Sequence, residues 1–181
     1  MSKALGEREE YANKLAEPRP ISTRLFINVN NYDCSYNIAE SIQYAAQKGM
    51  TVASHTATHP HMLALSMSQV DEQIDIVNRF MLKVLGVRPR FFRFPYGETN
   101  QTLNDYIWNK YRMHVVQWSI DSGDADNAAP EESIKRIKHG VLGGGQIILN
   151  HETHETSVKH VAPAIIKCEA ADGAAGKSHV R

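Results

Sequence analysis

Several features that would assign this 181-residue chain to a special class are missing. Its formal net charge is zero, so nothing indicates a nucleic-acid partner or an anionic membrane surface. The longest apolar runs have the length of strands, and we therefore expect no membrane span. Residues 1–20 are polar and charged, and no signal peptide is visible among them. The length fits one domain with its own core.

Cysteine is also scarce, with only Cys34 and Cys168 in the chain. The pair allows one disulfide or two thiols, and the sequence alone does not choose between them. Two cysteines are too few to indicate a cellular compartment.

What is present is an alternation of strand and helix patterns. We predict strands over residues 24–29, 50–53, 91–94, 114–118 and 146–149, and helices over residues 38–46, 68–85, 103–111, 130–139 and 158–168. Ser68 is the predicted N-cap of the second helix, and Gly86 its end. The alternation predicts an α/β fold with a mainly parallel sheet, either a barrel or an open sheet. Residues 1–24 would form a peripheral arm, residues 25–168 the domain and residues 169–181 a flexible tail.

Two histidines follow the second predicted strand. His55 and His59 stand four residues apart, a spacing that puts side chains on one side of a helical turn. Imidazole nitrogen suits zinc, and three protein ligands with an open position are usual in catalytic sites. The plainer interpretation is a pair of hydrogen-bonded loop histidines. His61 follows Pro60 and is expected to point elsewhere.

Other polar residues also come where predicted strands end, which is the edge where α/β folds build active sites. Arg93 could hold a carboxylate or be an ordinary surface arginine. Asp121 or Asp124 could orient the imidazole of His151 or simply cap a loop. The turn after Arg93 could present a backbone N–H to an oxyanion.

Four short motifs stand in order along the chain. They are Ser54-His55-Thr56-Ala57-Thr58-His59-Pro60, Arg93-Phe94-Pro95-Tyr96-Gly97, Trp118-Ser119-Ile120-Asp121-Ser122-Gly123-Asp124 and Leu149-Asn150-His151. Together they resemble the motifs of the polysaccharide deacetylases, the family-four carbohydrate esterases. The stretch from Leu25 to Cys34 is similar to fungal chitin deacetylases. The resemblance extends over about Leu25 to Cys168.

The resemblance implies a distorted (β/α) barrel and a divalent metal, usually zinc, bound by one Asp and two His. The implied activity is hydrolysis of the amide C–N bond of N-acetyl groups on chitin-like polysaccharides of N-acetylglucosamine. The implied roles are as follows: metal ligands His55 and His59; tether of the catalytic base Arg93; substrate and oxyanion contacts Pro95, Tyr96 and Leu149; catalytic acid His151, tuned by Asp124.

The sequence also departs from the family pattern. The first family motif supplies the catalytic base and the third metal ligand through two aspartates, and residues 1–24 contain no Asp. By sequence position, only Glu7, Glu9, Glu10 and Asp33 could replace the missing ligand. Ala125 stands where the family has a Trp, and the family's final strand and terminal cysteine are absent. We therefore expect an incomplete barrel.

Three interpretations stay open. The chain is a metal-dependent deacetylase with impaired or absent activity, a non-catalytic carbohydrate-binding or structural remnant, or a truncated chain whose open barrel edge invites association. A secreted or cell-wall location follows from the resemblance only. The glycosylation sequon Asn100-Gln101-Thr102 is compatible with it.

Overall fold

The computed structural model describes residues 23–31, 34–144 and 147–167. The chain divides into a first unit, Ser22–Gln117, and a second unit made of Trp118–Arg181 with Met1–Ile21. Nearly all of the predicted arm, the predicted tail and Cys168 lie outside the described residues. No helix in the described ranges is long and apolar enough to cross a membrane.

The first unit contains a four-stranded parallel sheet in the order β1-β2-β3-β4. Its strands are β1 (Arg24–Ile27), β2 (Thr51–Ser54), β3 (Phe91–Phe92) and β4 (His114–Val115). In the register, Phe26 lies beside Ala53, and Phe91 beside His114. The four strands were predicted, and their parallel pairing confirms the predicted α/β class. β3 and β4 are shorter than predicted, although the next residues still bond to neighbouring strands: the N–H of Arg93 donates to the carbonyl of Ser54 at 3.0 Å, and that of Val116 to the carbonyl of Phe92 at 2.8 Å.

Three helices cover this sheet: α1 (Ala39–Gln47), α2 (Met67–Leu85) and α3 (Gln101–Tyr111). One cluster of buried side chains joins α2 and α3 to β3, and includes Ile74, Ile107 and Phe92. A second cluster joins α1 and α2 to β2. Full burial of a large apolar side chain contributes about 1.5–3 kcal/mol, so these clusters fix the positions of the strand ends.

The second unit has a smaller parallel pair, β5 (Ile120–Asp121) and β6 (Ile148–Leu149). α4 (Pro130–Leu142) packs on it, and residues 155–167 form a helix with a π-helical segment, Ser157–Val161. Its core contains Ile120, Ile137 and Val161. β5 was not predicted, because its one apolar residue, Ile120, stands between the polar residues Ser119 and Asp121. We had expected Asp121 to follow the end of a strand over residues 114–118. This was wrong, because Asp121 belongs to β5.

The start of α2 corrects one prediction. Ser66, not Ser68, is the N-cap: its hydroxyl accepts from the backbone N–H of Gln69 at 3.4 Å. The Gln69 side chain accepts in turn from the N–H of Ser66 at 2.9 Å. This reciprocal capping box outweighs the acidic residues that made Ser68 attractive. The predicted end is confirmed, because Gly86 takes the left-handed conformation with φ 72°.

We expect Ser66→Ala to lower the free energy of unfolding by about 1 kcal/mol, because the capping hydroxyl is lost. Ser68→Ala is the matched control and should change it by less than about 0.5 kcal/mol. Urea denaturation followed by circular dichroism measures both. A larger loss for Ser68→Ala would contradict the assignment of the cap.

Candidate functional site

The histidine pair lies in a tight loop directly after β2. The rings of His55 and His59 are neighbours, with centroids 4.8 Å apart and planes at 75°. The loop is not a helical turn: Thr56 and His59 both have left-handed backbones, with φ of 71° and 59°. The two rings lie close together as predicted, but the helical turn that we gave as the reason was wrong. Two left-handed residues, rather than a helix, bring the imidazoles together.

Asn28, at the end of β1, supports this strained loop. Its side-chain amide donates to the backbone carbonyl of Thr56 at 3.1 Å and also to that of His55. The Thr56 hydroxyl accepts from the N–H of His59 at 3.1 Å, and Thr56 is fully buried. A left-handed β-branched residue costs of order 1–3 kcal/mol, so the surrounding bonds must hold it in place.

Gln73, on α2, holds the same loop from the other side. Its side-chain oxygen accepts from the N–H groups of Ala57 and Thr58, each at 3.0 Å. We had assigned no role to Asn28 or Gln73. The position of a polar residue, Asn28, at the end of β1 was a sequence signal for a contact near the site. Gln73 gave no such signal, since it lies in the middle of an ordinary helix.

The tautomer of His55 is set by a backbone carbonyl. Its Nδ1 lies 2.9 Å from the carbonyl oxygen of Arg93. Because a carbonyl only accepts, Nδ1 carries the proton and Nε2 has the lone pair that a metal needs. Imidazoles that bind metals commonly donate their other N–H in this way. The donor chemistry of His55 thus fits a metal ligand.

The residues that the structure describes do not complete a three-ligand site. Among the described residues, no group of three or more His, Cys, Asp or Glu side chains could hold a metal ion. The carboxylates considered for the third position, Glu7, Glu9, Glu10 and Asp33, all lie outside those residues. The geometry thus provides two neighbouring imidazoles and no identified carboxylate.

Tyr96 lies beside this pair. It has a left-handed backbone (φ 58°), and its 54% exposed ring is 4.6 Å from that of His59. Pro95, which is buried, begins the short turn that places it. His61 stacks on Tyr96 at 4.1 Å, and its Nδ1 lies 2.9 Å from a Glu98 carboxylate oxygen. His61, which we had expected to point elsewhere, thus belongs to the same group of rings.

Arg93 is not an ordinary surface arginine, because it is only 7% exposed. Its Nε donates to the carbonyl of Val116 at 3.1 Å, and its guanidinium lies 4.0 Å from the ring centroid of Phe26. Burial, helped by the nearby charge of Arg24, lowers the pKa of Arg93 to about 10. The group is still charged at neutral pH, and its role as a tether stays a prediction.

In the second unit, a buried carboxylate holds a histidine. Asp124 Oδ1 accepts from His151 Nδ1 at 2.8 Å, from the Ser122 hydroxyl at 2.9 Å and from the Ala125 N–H at 2.9 Å. Its Oδ2 accepts from the His151 N–H and the Ser157 hydroxyl, each at 2.6 Å. The imidazole is therefore fixed through both its backbone and its ring, with Nδ1 as the donor.

These contacts shift both titrations. Burial alone would raise the pKa of Asp124, but the hydrogen bonds from His151 and Ser157 outweigh it and hold that pKa well below the usual range. The same hydrogen bond raises the pKa of His151 above its ordinary 6.5, although burial opposes the change. A carboxylate that stays ionised thus favours the protonated imidazole.

The remaining predicted residues, Asp121 and Leu149, lie in the β5–β6 strand pair. Asp121 accepts from the N–H of Gly123 at 2.8 Å, which is the loop role given as its plainer interpretation. Leu149 lies in β6, paired with Asp121. Ser157, which the sequence reasoning missed, is fully buried on the π-helical segment. A serine inside a helix gives no sequence signal for such a contact.

We expect Asp124→Asn to lower the pKa of His151 toward its ordinary value, because the ionised partner is lost. Asp121→Asn is the matched control and should change that pKa little. Imidazole NMR titration measures both. The pair stabilises the folded chain between the unfolded pKa values of Asp and His, about 4 and 6.5. That stability is lost as pH rises through the raised pKa of His151 or falls through the lowered pKa of Asp124. An unchanged pKa in Asp124→Asn would contradict the pairing.

Comparison with known proteins gives the same family from sequence and from structure. The family described as polysaccharide deacetylase matches residues 20–137. A chitin deacetylase of Arthroderma benhamiae is 25% identical over 138 residues, 74% of this chain and 37% of that protein. The chain spans about a third to a half of the length of the first curated relatives it matches.

The solved structures that are similar to this chain include an esterase and a pseudoenzyme. A family 4 carbohydrate esterase from Streptomyces lividans, in complex with acetate, has a TM-score of 0.76 and 30% identity, covering 93% of this chain and 83% of its own. A CE4 family pseudoenzyme from Bacillus anthracis has a TM-score of 0.79 and 18% identity, covering 94% of this chain and 58% of its own, and shows the fold alone. The α/β fold is of the predicted polysaccharide deacetylase type. This chain belongs to the polysaccharide deacetylase family.

Proposed function

We propose that this chain is a deacetylase of N-acetylated, chitin-like polysaccharide whose activity is impaired. The observation that carries the proposal is unequal preservation of the machinery. The proposed acid, His151, and its carboxylate partner, Asp124, form a complete hydrogen-bonded pair. The histidine pair has neighbouring rings, yet no third ligand stands among the described residues.

His151 is the proposed general acid. Hydrolysis of an N-acetyl group must deliver a proton to the departing amine nitrogen, because an amide anion is a very poor leaving group. The raised pKa of His151 keeps its imidazole protonated closer to neutral pH, and Asp124 compensates the charge. Ser122 and Ser157 act through Asp124 and are positioning residues.

His55 and His59 are the proposed metal ligands, with zinc as the first candidate because imidazole suits it. A bound divalent cation would polarise the acetyl carbonyl and lower the pKa of water. The donor proton on Nδ1 of His55 supports this assignment. Two imidazoles alone do not complete a three-ligand site.

The proposed impairment follows from what the 181 residues do not contain. In the family that the chain resembles, the first motif supplies the catalytic base and the third metal ligand. That motif has no counterpart in these residues, and residues 1–24 lack Asp. Loss of a general base alone costs about 10²–10⁴-fold in rate. Arg93 would then be a buried cation kept at the edge where that base belongs, and Tyr96, Pro95 and Leu149 would keep their substrate contacts.

A second candidate is a non-catalytic carbohydrate-binding or structural protein. The absence of a three-ligand group among the described residues favours it. A CE4 pseudoenzyme with the same fold shows that the fold exists without activity in another protein. The exposed ring of Tyr96, held between His59 and His61, would then serve only to contact a sugar.

We further propose that the protein works outside the cell or in a cell wall, where such polymers are found. Asn100 of the glycosylation sequon is exposed, and its side-chain oxygen caps α3 by accepting from the N–H of Leu103 at 2.8 Å. A glycan on the nitrogen of the same amide leaves that oxygen available. The cap and the modification are therefore compatible.

Acetate release from an N-acetylglucosamine pentamer, measured with excess zinc, tests the proposed activity. We expect kcat/KM to be at least about 10²-fold below that of the Streptomyces lividans esterase assayed alongside, because the general base is missing. His151→Gln should abolish the remaining rate, whereas His154→Gln, its neighbouring histidine, should not.

A rate within tenfold of the esterase would contradict the impairment. Residual release that His151→Gln leaves unchanged would contradict the assigned acid. Binding of the pentamer without any release would favour the second candidate.

A further inference from the structure

The segment that follows β4 contacts two of the predicted site elements at once. The backbone carbonyl of Val116 accepts from Nε of Arg93 at 3.1 Å. The side-chain amide of Gln117 donates to the backbone carbonyl of Gly97 at 3.0 Å. Gly97 ends the short turn that also contains Tyr96, which we call the Tyr96 turn. Gln117 therefore ties this turn to the carboxyl end of a sheet strand that lies 20 residues further along the chain.

The Tyr96 turn has a backbone that needs support. Tyr96 and Gly97 both have left-handed conformations, with φ of 58° and 70°, and such a conformation is unfavourable for a non-glycine residue. Two N–H groups of the turn donate to carbonyls three residues earlier, each at 3.2 Å. These local bonds fix the shape of the turn but not its place beside the sheet. The hydrogen bond from Gln117 supplies that link.

The orientation of the Gln117 amide follows from its partner. A carbonyl oxygen can only accept, so the amide nitrogen must face Gly97. The other end of the amide, Oε1, is buried and has no hydrogen-bond partner in the described part of the chain. A buried oxygen without a partner costs free energy, which offsets the gain from the bond to Gly97. Stability alone therefore gives little reason for a glutamine at this position.

The Tyr96 turn lies beside the histidine pair. The ring of Tyr96 is 4.6 Å from the ring of His59 and stacks on the ring of His61 at 4.1 Å. A rotation of the turn would move this ring and also the backbone of Tyr96, to which the proposed function gives the oxyanion contact. A displacement of about 1 Å in such a group can cost about 10²-fold in rate. A side chain that holds the turn can thus affect the chemistry without touching the substrate.

We propose that Gln117 is a positioning residue for deacetylation, which holds the Tyr96 turn where its backbone stabilises the oxyanion of the transition state. This inference rests on the proposed function and deepens it. Gln117 acts through the carbonyl of Gly97 and is not itself a catalytic residue. Because the oxyanion develops only in the transition state, loss of the amide lowers kcat and leaves KM unchanged.

The test compares Gln117→Met with Gln43→Met in the whole chain. Gln117→Met keeps the length of the side chain and removes the donor. Gln43→Met is the matched control, because it removes a bond of the same kind, from the Gln43 amide to the carbonyl of Val84 at 2.9 Å, between α1 and α2. Acetate release from the N-acetylglucosamine pentamer with excess zinc gives kcat and KM. Amide hydrogen exchange at Gly97 and Glu98 reports the order of the turn without depending on activity.

We expect kcat of Gln117→Met to fall about tenfold with KM unchanged, which is less than the roughly 10²–10³-fold loss when an oxyanion donor itself is removed. Exchange of the two turn N–H groups should become about tenfold faster, since the turn opens more easily. The midpoint of urea denaturation should hardly change, because the unpaired oxygen is lost together with the hydrogen bond. Gln43→Met should alter neither kcat nor exchange in the turn.

An unchanged kcat in Gln117→Met, a rise in KM in place of the fall in kcat, or equal effects in Gln43→Met would each overturn the proposal. Failure of the proposed function gives a different result, which is no acetate release by the wild-type chain. Gln117 then has no catalytic role, and the exchange rates alone decide whether it holds the turn.

Discussion

The buried carboxylate of Asp124 is the interaction on which the chemistry of the second unit depends. Asp124 begins the short turn after β5, and it accepts hydrogen bonds from the Ser122 hydroxyl, the backbone N–H of His151 and the hydroxyl of Ser157 in the helix after β6. Such a charge is tolerated away from water only when its oxygens are fully hydrogen-bonded. Satisfying Asp124 therefore fixes the imidazole of His151 in one tautomer and one position. The hydrogen bonds that allow Asp124 to be buried thus also fix the protonated nitrogen of His151.

The first unit meets a different constraint. Its histidine loop contains left-handed Thr56 and His59, conformations that non-glycine residues rarely adopt. Asn28 and Gln73 hold the loop from β1 and α2, so the strain is stabilised by the sheet and by a helix. Strain retained in this way is common where side chains must converge on a ligand. The described part of the chain thus supports the imidazoles on both sides but supplies no third His, Cys, Asp or Glu ligand beside them.

The fold was largely readable because periodicity and end signals agree over the long elements. The strand patterns and Gly86 were sufficient for β1, β2 and α2. β5 could not be read, because its one apolar residue, Ile120, is flanked by Ser119 and Asp121. The cap of α2 was misplaced because Ser68 lies close to acidic residues. At the candidate site, positions just after predicted strands selected His55, Arg93 and His151 as candidates, and their roles stay predictions. Asn28, Gln73, Ser157 and the stacking of His61 depend on distant contacts, which spacing along the chain does not encode.

The proposed impairment requires that the chain supplies no carboxylate ligand beside the histidine pair. Zinc calorimetry with and without added formate tests it most directly, using His55→Ala/His59→Ala as the control. If a carboxylate is missing, zinc should bind weakly alone and more tightly with formate, because the added anion fills a ligand position. The double variant should show neither effect. Tight one-to-one zinc binding that formate leaves unchanged, and that the double variant loses, would mean that the chain completes its own site and that no carboxylate is missing.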